Sequence, residues 1–368
     1  MNKEFKKKFF DNLSENKLII IQHSFSFSPV NQLLNQIEKK HKNFDLSDKN
    51  VFKEINSLHR ENYSSFFDSD LIIIHHAQLI HSLEELVLWC LQEQDKKTFV
   101  LFCSAIPTIN EDLFSFFKTH QVFSSYHETF LNEIEIKGMQ SAIKELKNIL
   151  VFGSSISFTE NKQREDFYET QLHILLNLLS LKDNKVNKKE KLIQILRYLS
   201  MKSGENCSYL EMGIACGLDN ETAEKYIHLL KDYQVIIQLK SIFNEHRYEI
   251  KKGNSFYFYD NGFRNYLIQQ FQLFEQRFDQ DFLWRNWLIA EKYKINAESK
   301  YSFWLTHTKQ KIEFIEENSR KSTSNAYIFQ WDKRKVKKAP TSFLKYYPQT
   351  LLKVIHQSNF IPFLLEKN

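Results

Sequence analysis

The chain has 368 residues and a formal net charge of +5, with 42% hydrophobic and 26% charged residues, proportions of a folded protein of two or three domains and not of a disordered chain. Seven glycines and five prolines exclude collagen-like and linker-like sequences, and so mild a charge permits a local basic patch without itself arguing for nucleic acid. Cys90, Cys103, Cys207 and Cys216 contain no CxxC pair, so neither a zinc site of ordinary spacing nor a disulfide framework is expected.

The N-terminal MNKEFKKKFFDNLSENK is basic but lacks the apolar core and cleavage site of a secretory signal. No apolar run approaches the roughly 20 residues of a spanning helix, so a cytoplasmic protein without membrane contact is expected. No glycine precedes Gly138. Three β-branched runs stand out before it: Lys17–Gln22, Asp70–His75 and Thr98–Cys103. Continuous apolar runs of this length predict strands buried on both faces, hence a parallel sheet covered by helices. Helices are predicted over 30–40, with Leu33, Leu34 and Ile37, and over 82–92. The pattern turns helical from 141 to 181, and the lysine-rich stretch 182–191 reads as an exposed junction. Periodic segments at 190–201, 208–215 and 219–232 follow, the last with Asp219 as N-cap. Strands are predicted at 235–239 and 247–250, and three helices followed by a hairpin is the order of a winged helix-turn-helix. Residues from 255 onward alternate helix and strand as a further α/β unit.

Phe256-Tyr-Phe-Tyr-Asp-Asn-Gly-Phe-Arg-Asn265, with Glu221-Thr-Ala-Glu-Lys-Tyr-Ile-His-Leu-Leu230 upstream, resembles the bacterial AAA-type ATPases that carry a C-terminal domain of unknown function. Arg277–Glu291, Phe303-Trp304 and Trp331–Pro348 agree with it. The resemblance is strongest from about 190 to 348 and rests mainly on strand order before 138. It implies an α/β chain with a P-loop-NTPase-like parallel sheet domain at 1–138, a helical lid-like segment at 139–189, a winged helix at 190–252 and a PD-(D/E)xK nuclease-like domain at 253–368.

The residues at which that family would do chemistry are replaced. A phosphate loop needs glycines for close backbone approach, a lysine for the β/γ charge and a Ser/Thr for magnesium. Those positions fall on Gln22, Phe27, Ser28 and Pro29, and no Gly, Lys or Arg lies between Gln22 and Glu38. The acidic pair after the second run falls on His75 and His76, and the polar position after the third falls near Ser104. Adjacent strand residues point to opposite faces, so the two histidines make a poor chelate. One or both of Phe25 and Phe27 is expected to be buried, closing any phosphate-sized pocket between Ser28 and His75. In the nuclease-like domain the family's acids and lysine fall on Arg285, Glu313, Ile328 and Gln330, leaving one carboxylate where a metal needs several.

Two stretches offer nucleic-acid contacts: Lys225 on the predicted recognition helix, among acids, and Lys333, Arg334, Lys335, Lys337 and Lys338 beside Trp331. The first reads more readily as a protein-packing module and the second as a solvated loop. The expected function is that of a non-catalytic pseudo-ATPase and pseudo-nuclease, a binding or regulatory protein acting through a protein partner or DNA. No cofactor, metal or small-molecule substrate is expected. The alternative is an ATP-binding AAA-type ATPase with an unconventional phosphate loop.

Overall fold

The structure is a computed structural model. It describes residues 3–15, 17–23, 33, 36, 37, 39–92, 97–105, 123–126, 128–153, 161–182, 189–242, 249, 250, 253–296, 299–318, 323–334 and 338–366, with the side chains of 123–126, 161, 318 and 323 left aside. The fold is mixed α/β, and the chain divides into two compact units. Unit 1 comprises Met1–Glu128, Glu169–Lys189 and Asp232–Gln234; unit 2 comprises Thr129–Tyr168, Glu190–Lys231 and Val235–Asn368.

In unit 1, α1 (Lys3–Glu15) leads into β1 (Leu18–His23). β2 (His41–Asp45), α2 (Lys49–Asn56), α3 (Tyr63–Phe66), β3 (Leu71–His75), α4 (Leu83–Gln92), β4 (Thr98–Cys103) and β5 (Phe123–Tyr126) follow. The sheet is wholly parallel in the order β2-β3-β4-β1-β5. Its apolar runs are continuous because both faces are covered. Ile19, Ile21, Leu71, Ile73, Val100 and Phe102 pack with Phe9 and Leu13 of α1 on one face. On the other, Phe99 meets Phe67 and Trp89 of α4 edge-on, at 5.3 and 5.6 Å between centroids. β2 and β5 were not anticipated; β2 reads His-Lys-Asn-Phe-Asp and is an edge strand open to solvent.

Unit 2 opens with α5 (Phe130–Lys137) and α6 (Met139–Phe152), then receives the start of α7 (Asn161–Lys182). The helices α8 (Lys189–Lys202), α9 (Tyr209–Cys216) and α10 (Asn220–Asp232) come next, within two residues of the predicted bounds. Ser208 and Glu211 form a capping box at the start of α9, and Asp219 Oδ1 accepts from Thr222 N–H at 2.7 Å at the start of α10. β6 (Ile236–Ser241) and β7 (Asn254–Phe258) pair antiparallel. The strand that pairs with β6 is therefore 254–258, carrying the buried Phe256-Tyr257-Phe258 run; of the predicted 247–250, residues 247 and 248 lie outside the described residues and Glu249 bridges Thr306. α11 (Asn261–Leu267), α12 (Gln280–Ile295), β8 (Lys300–Leu305), β9 (Lys311–Asn318), β10 (Thr323–Phe329), α13 (Thr341–Tyr346), β11 (Leu351–Ile355) and α14 (Phe360–Leu365) complete the unit. A mixed sheet of order β11-β10-β9-β8-β6-β7 runs through it, so residue 252 falls between two paired strands of one sheet. Ser302 faces Ile315 and Trp304 faces Ile312, so β9 fits an extra residue opposite Phe303. This β-bulge lies at Glu313-Phe314, and bulges re-aim the side chains beside them.

Candidate functional site

Two polar clusters lie where the sequence places its candidate residues, one in each unit. In unit 1 the C-terminal ends of β1, β3 and β4 lie at the edge at which open parallel sheets ordinarily bind ligands. Gln22 ends up buried near the end of β1, in register with Cys103, and its Nε2 has no hydrogen-bond partner among the described residues. Phe25, Phe27, Ser28 and Pro29 lie outside the described residues.

His75 closes β3 and stacks on Phe102 at 5.7 Å. His76 follows in the left-handed region, φ 56°, which few residues other than glycine adopt. That turn carries its ring to a different set of partners: Nδ1 lies 3.0 Å from Ser104 Oγ, and Nε2 lies 3.9 Å from Asp45 Oδ1. Gln78 Nε2 donates to the same Ser104 hydroxyl at 2.9 Å, while Ser104 N–H donates back to Gln78 Oε1 at 3.2 Å. Ser104 is fully buried, so this loop of bonds is closed.

Burial pushes the His76 imidazole down to about 4, against the pull of Asp45, and lowers His75 as well. Burial would raise Asp45, but the hydrogen bonds from Ser47 and the nearby histidines hold it below the usual carboxylate range. Burial also pushes the Cys103 thiol up to about 12, so it is an inert core thiol. Ser104 Oγ is thus engaged by both His76 and Gln78, and the His76 ring stays neutral near pH 7. Among the described residues, no group of three or more His, Cys, Asp or Glu is placed to hold a metal ion.

In unit 2 the nuclease-like positions come together in part. Arg285 of α12 bonds Glu313 Oε1 through Nη1, and Glu313 Oε2 accepts from Phe329 N–H at 3.1 Å. Both carboxylate oxygens are thus taken. Burial alone would lower the Arg285 pKa, but Glu313 and Tyr257 carry it above the ordinary value. Gly204, at φ +76°, passes over the guanidinium so closely that a Cβ would come within 3.0 Å of Nη2. Lys311, on the same strand as Glu313, donates to Gly204 O at 2.6 Å and Ser255 Oγ at 3.2 Å. Burial and then Arg285 push its ammonium down to about 7. Ile328 is absent from this cluster and packs instead with Trp304, Ile312 and Phe343. Gln330 is buried and donates to Asp332 O at 3.2 Å.

Of the candidate nucleic-acid contacts, Lys225 is half-buried on α10, Lys333, Arg334 and Lys338 are exposed, and Lys335 and Lys337 lie outside the described residues. Arg334 pairs with Asp332 at 2.8 Å. Trp331 is half-buried and packs edge-on against Phe274 at 4.7 Å and Trp284 at 5.2 Å.

The motif around Asp260 serves the end of a helix. The last carbonyls of α6 have no intrahelical donors and need others. Asn261 Nδ2 donates to Leu150 O at 2.8 Å, Asn265 Nδ2 to Val151 O at 2.7 Å, and Tyr168 Oη to Phe152 O at 2.8 Å. Asp260 Oδ1 accepts from Tyr168 at 2.9 Å and from Phe263 N–H at 2.7 Å. Gly262 passes so near that a Cβ there would lie 2.3 Å from Phe152 O.

Residues 158–273 match the model of a domain of unknown function, DUF8612. The match takes in Tyr168 and the 260–265 segment, though not the end of α6 that they cap, together with α8, α9, α10 and the β6–β7 pair. No curated protein matches the chain. No described helix is long and apolar enough to cross a membrane.

Proposed function

We propose that the chain is a non-catalytic binding or regulatory protein: an AAA-type chain in which the ATPase and nuclease-like centres have both become structural, acting through a protein partner or DNA. The observation that carries this reading is the Arg285–Glu313 pair. On the family's pattern Arg285 stands where a helical carboxylate would be, and a guanidinium there neutralises the one acid left. A single compensated carboxylate has too little charge to hold a divalent cation.

The strand order β2-β3-β4-β1-β5 supports a P-loop-like origin for unit 1, since β1 lies inside the sheet between β4 and β5. At that edge the closed Ser104–His76–Gln78 loop supports loss of phosphate chemistry. The α8–α9–α10 helices with the β6–β7 hairpin support the winged-helix reading, and the sheet with α12 supports the nuclease-like one. The acids on α10 make a protein partner the better fit there than DNA.

One observation favours the alternative, an ATP-binding chain with an unconventional loop: among the described residues Gln22 Nε2, near the end of β1, is buried and unpartnered. Calorimetry of the purified protein with ATP and magnesium decides between them. The non-catalytic reading expects no affinity tighter than about millimolar, roughly −4 kcal/mol. Micromolar binding that is lost on Gln22→Ala would overturn it, as would magnesium-dependent cleavage of DNA abolished by Glu313→Gln.

A further inference from the structure

We infer that unit 2 carries a groove for an acidic segment of a protein partner, in which Arg197 and Arg264 take a carboxylate and Met201, Leu267 and Ile268 hold the apolar side chain beside it. The inference deepens the proposed role and rests on that reading only in taking the partner to be a protein. The groove has a volume of about 550 Å³ and lies between the C-terminal half of α8 and the residues that end α11, with Gln269 completing its wall.

Arg264 is pre-set. Its Nε donates to Ser200 O at 2.9 Å, its Nη1 donates to Asn265 Oδ1 at 2.9 Å and to Asp279 Oδ2 at 2.8 Å, and the guanidinium lies 4.4 Å over the Phe282 ring. Among the described residues these bonds leave Nη2 without a partner, on a side chain that lines the groove. Arg197 is exposed and makes no hydrogen bond or ion pair among the described residues. Both charged residues lining the groove are therefore cationic. Asp279 does not cancel them, because it is shared between Arg264 and Arg277.

An N–H of a guanidinium already held in place bonds a carboxylate without ordering its own side chain, and a guanidinium sheds water more readily than an ammonium does. The apolar lining argues against a bare phosphate, which needs N–H donors all round it. Met201 is 64% exposed, and methionine is an adaptable apolar residue much used at binding surfaces. Gln269 adds an independent sign. It sits at φ 55° just past α11, where glycine would cost nothing and another residue costs about 1 kcal/mol. Strain kept by a side chain that lines a cavity is the kind found at ligand sites.

The test is a titration of the full-length chain, labelled at methionine methyl and arginine Nε, with N-acetyl-Leu-Glu-Leu-amide, the matching Leu-Gln-Leu peptide, and inorganic phosphate. The acidic peptide is expected to shift the Met201 methyl and Arg264 Nε–H signals saturably in the millimolar range. The glutamine peptide should bind about tenfold more weakly, and Arg197→Gln should weaken the acidic peptide by a similar factor with the fold unchanged. No shift from the acidic peptide, equal binding of the glutamine peptide, tighter binding of phosphate, or an unaffected Arg197→Gln variant would each overturn the inference. Failure of the non-catalytic reading shows separately, as ATP binding in calorimetry, which moves neither of these two signals.

Discussion

Replacing Arg285 by methionine isolates the pair on which the proposed role rests. The change keeps most of the buried stem and removes the charge that faces Glu313, whose bond from Phe329 N–H stays. Stripping one member from a buried ion pair costs about 3–5 kcal/mol. The side chains here retain 19% and 13% exposure, which puts the expectation at the low end, about 3 kcal/mol. Lys311 softens the loss at low pH, since it can charge more easily once the guanidinium is gone. The loss should thus be larger at pH 8 than at pH 6. Urea unfolding followed by tryptophan fluorescence reads it out, because Trp284, Trp287, Trp304 and Trp331 all belong to unit 2 and only Trp89 to unit 1. With a slope of about 3 kcal/mol per molar urea, the midpoint should fall by about 1 M. The double variant Arg285→Met/Glu313→Gln should recover about 2 kcal/mol relative to the sum of the single changes. A single-variant loss below about 1 kcal/mol, or simple additivity, would refute the claim that the two groups hold each other.

The His76 ring should titrate near pH 4 by NMR. Because the folded state prefers the neutral ring, the unfolded chain binds the extra proton between pH 4 and 6.5, and unit 1 should gain stability with rising pH across that window; titration at 6.5 would contradict its burial. Lys311 follows the same sign at higher pH: with its folded value near 7 against 10.5, unit 2 should gain up to about 1.4 kcal/mol per pH unit between them, and Lys311→Met should remove that slope. Gly262→Ala would set a Cβ 2.0 Å from Tyr168 Oη and 2.3 Å from Phe152 O, so unit 2 should lose about 3 kcal/mol or more in the same urea assay, and a neutral result would discount the knot at the end of α6.

The three apolar strands of unit 1 were legible because burial on both faces writes itself as an unbroken run. β2 was not, since an exposed edge strand needs no such run and His-Lys-Asn-Phe-Asp carries none. That omission hid Asp45, whose place beside His76 depends on β2 pairing with β3. The bounds of α8, α9 and α10 were readable from period and caps, whereas the hairpin partner of β6 was mistaken because Phe256–Phe258 looked like the start of the next element. At the candidate sites the positions were legible singly and their contacts were not. Arg285 and Glu313 lie 28 residues apart, and so do His76 and Ser104; nothing local marks either pair. The bulge that turns Glu313 toward α12 depends on strand register, which the sequence of β9 alone does not encode.

The chain changes unit after residues 128, 168, 189, 231 and 234. On the ribosome, therefore, the stretches 169–189 and 232–234 that group with unit 1 emerge well after its sheet, with much of unit 2 between them. No single cut in the gene yields either unit whole, and an expression fragment ending at residue 138 carries all five strands of the parallel sheet without the helix and turn that complete it.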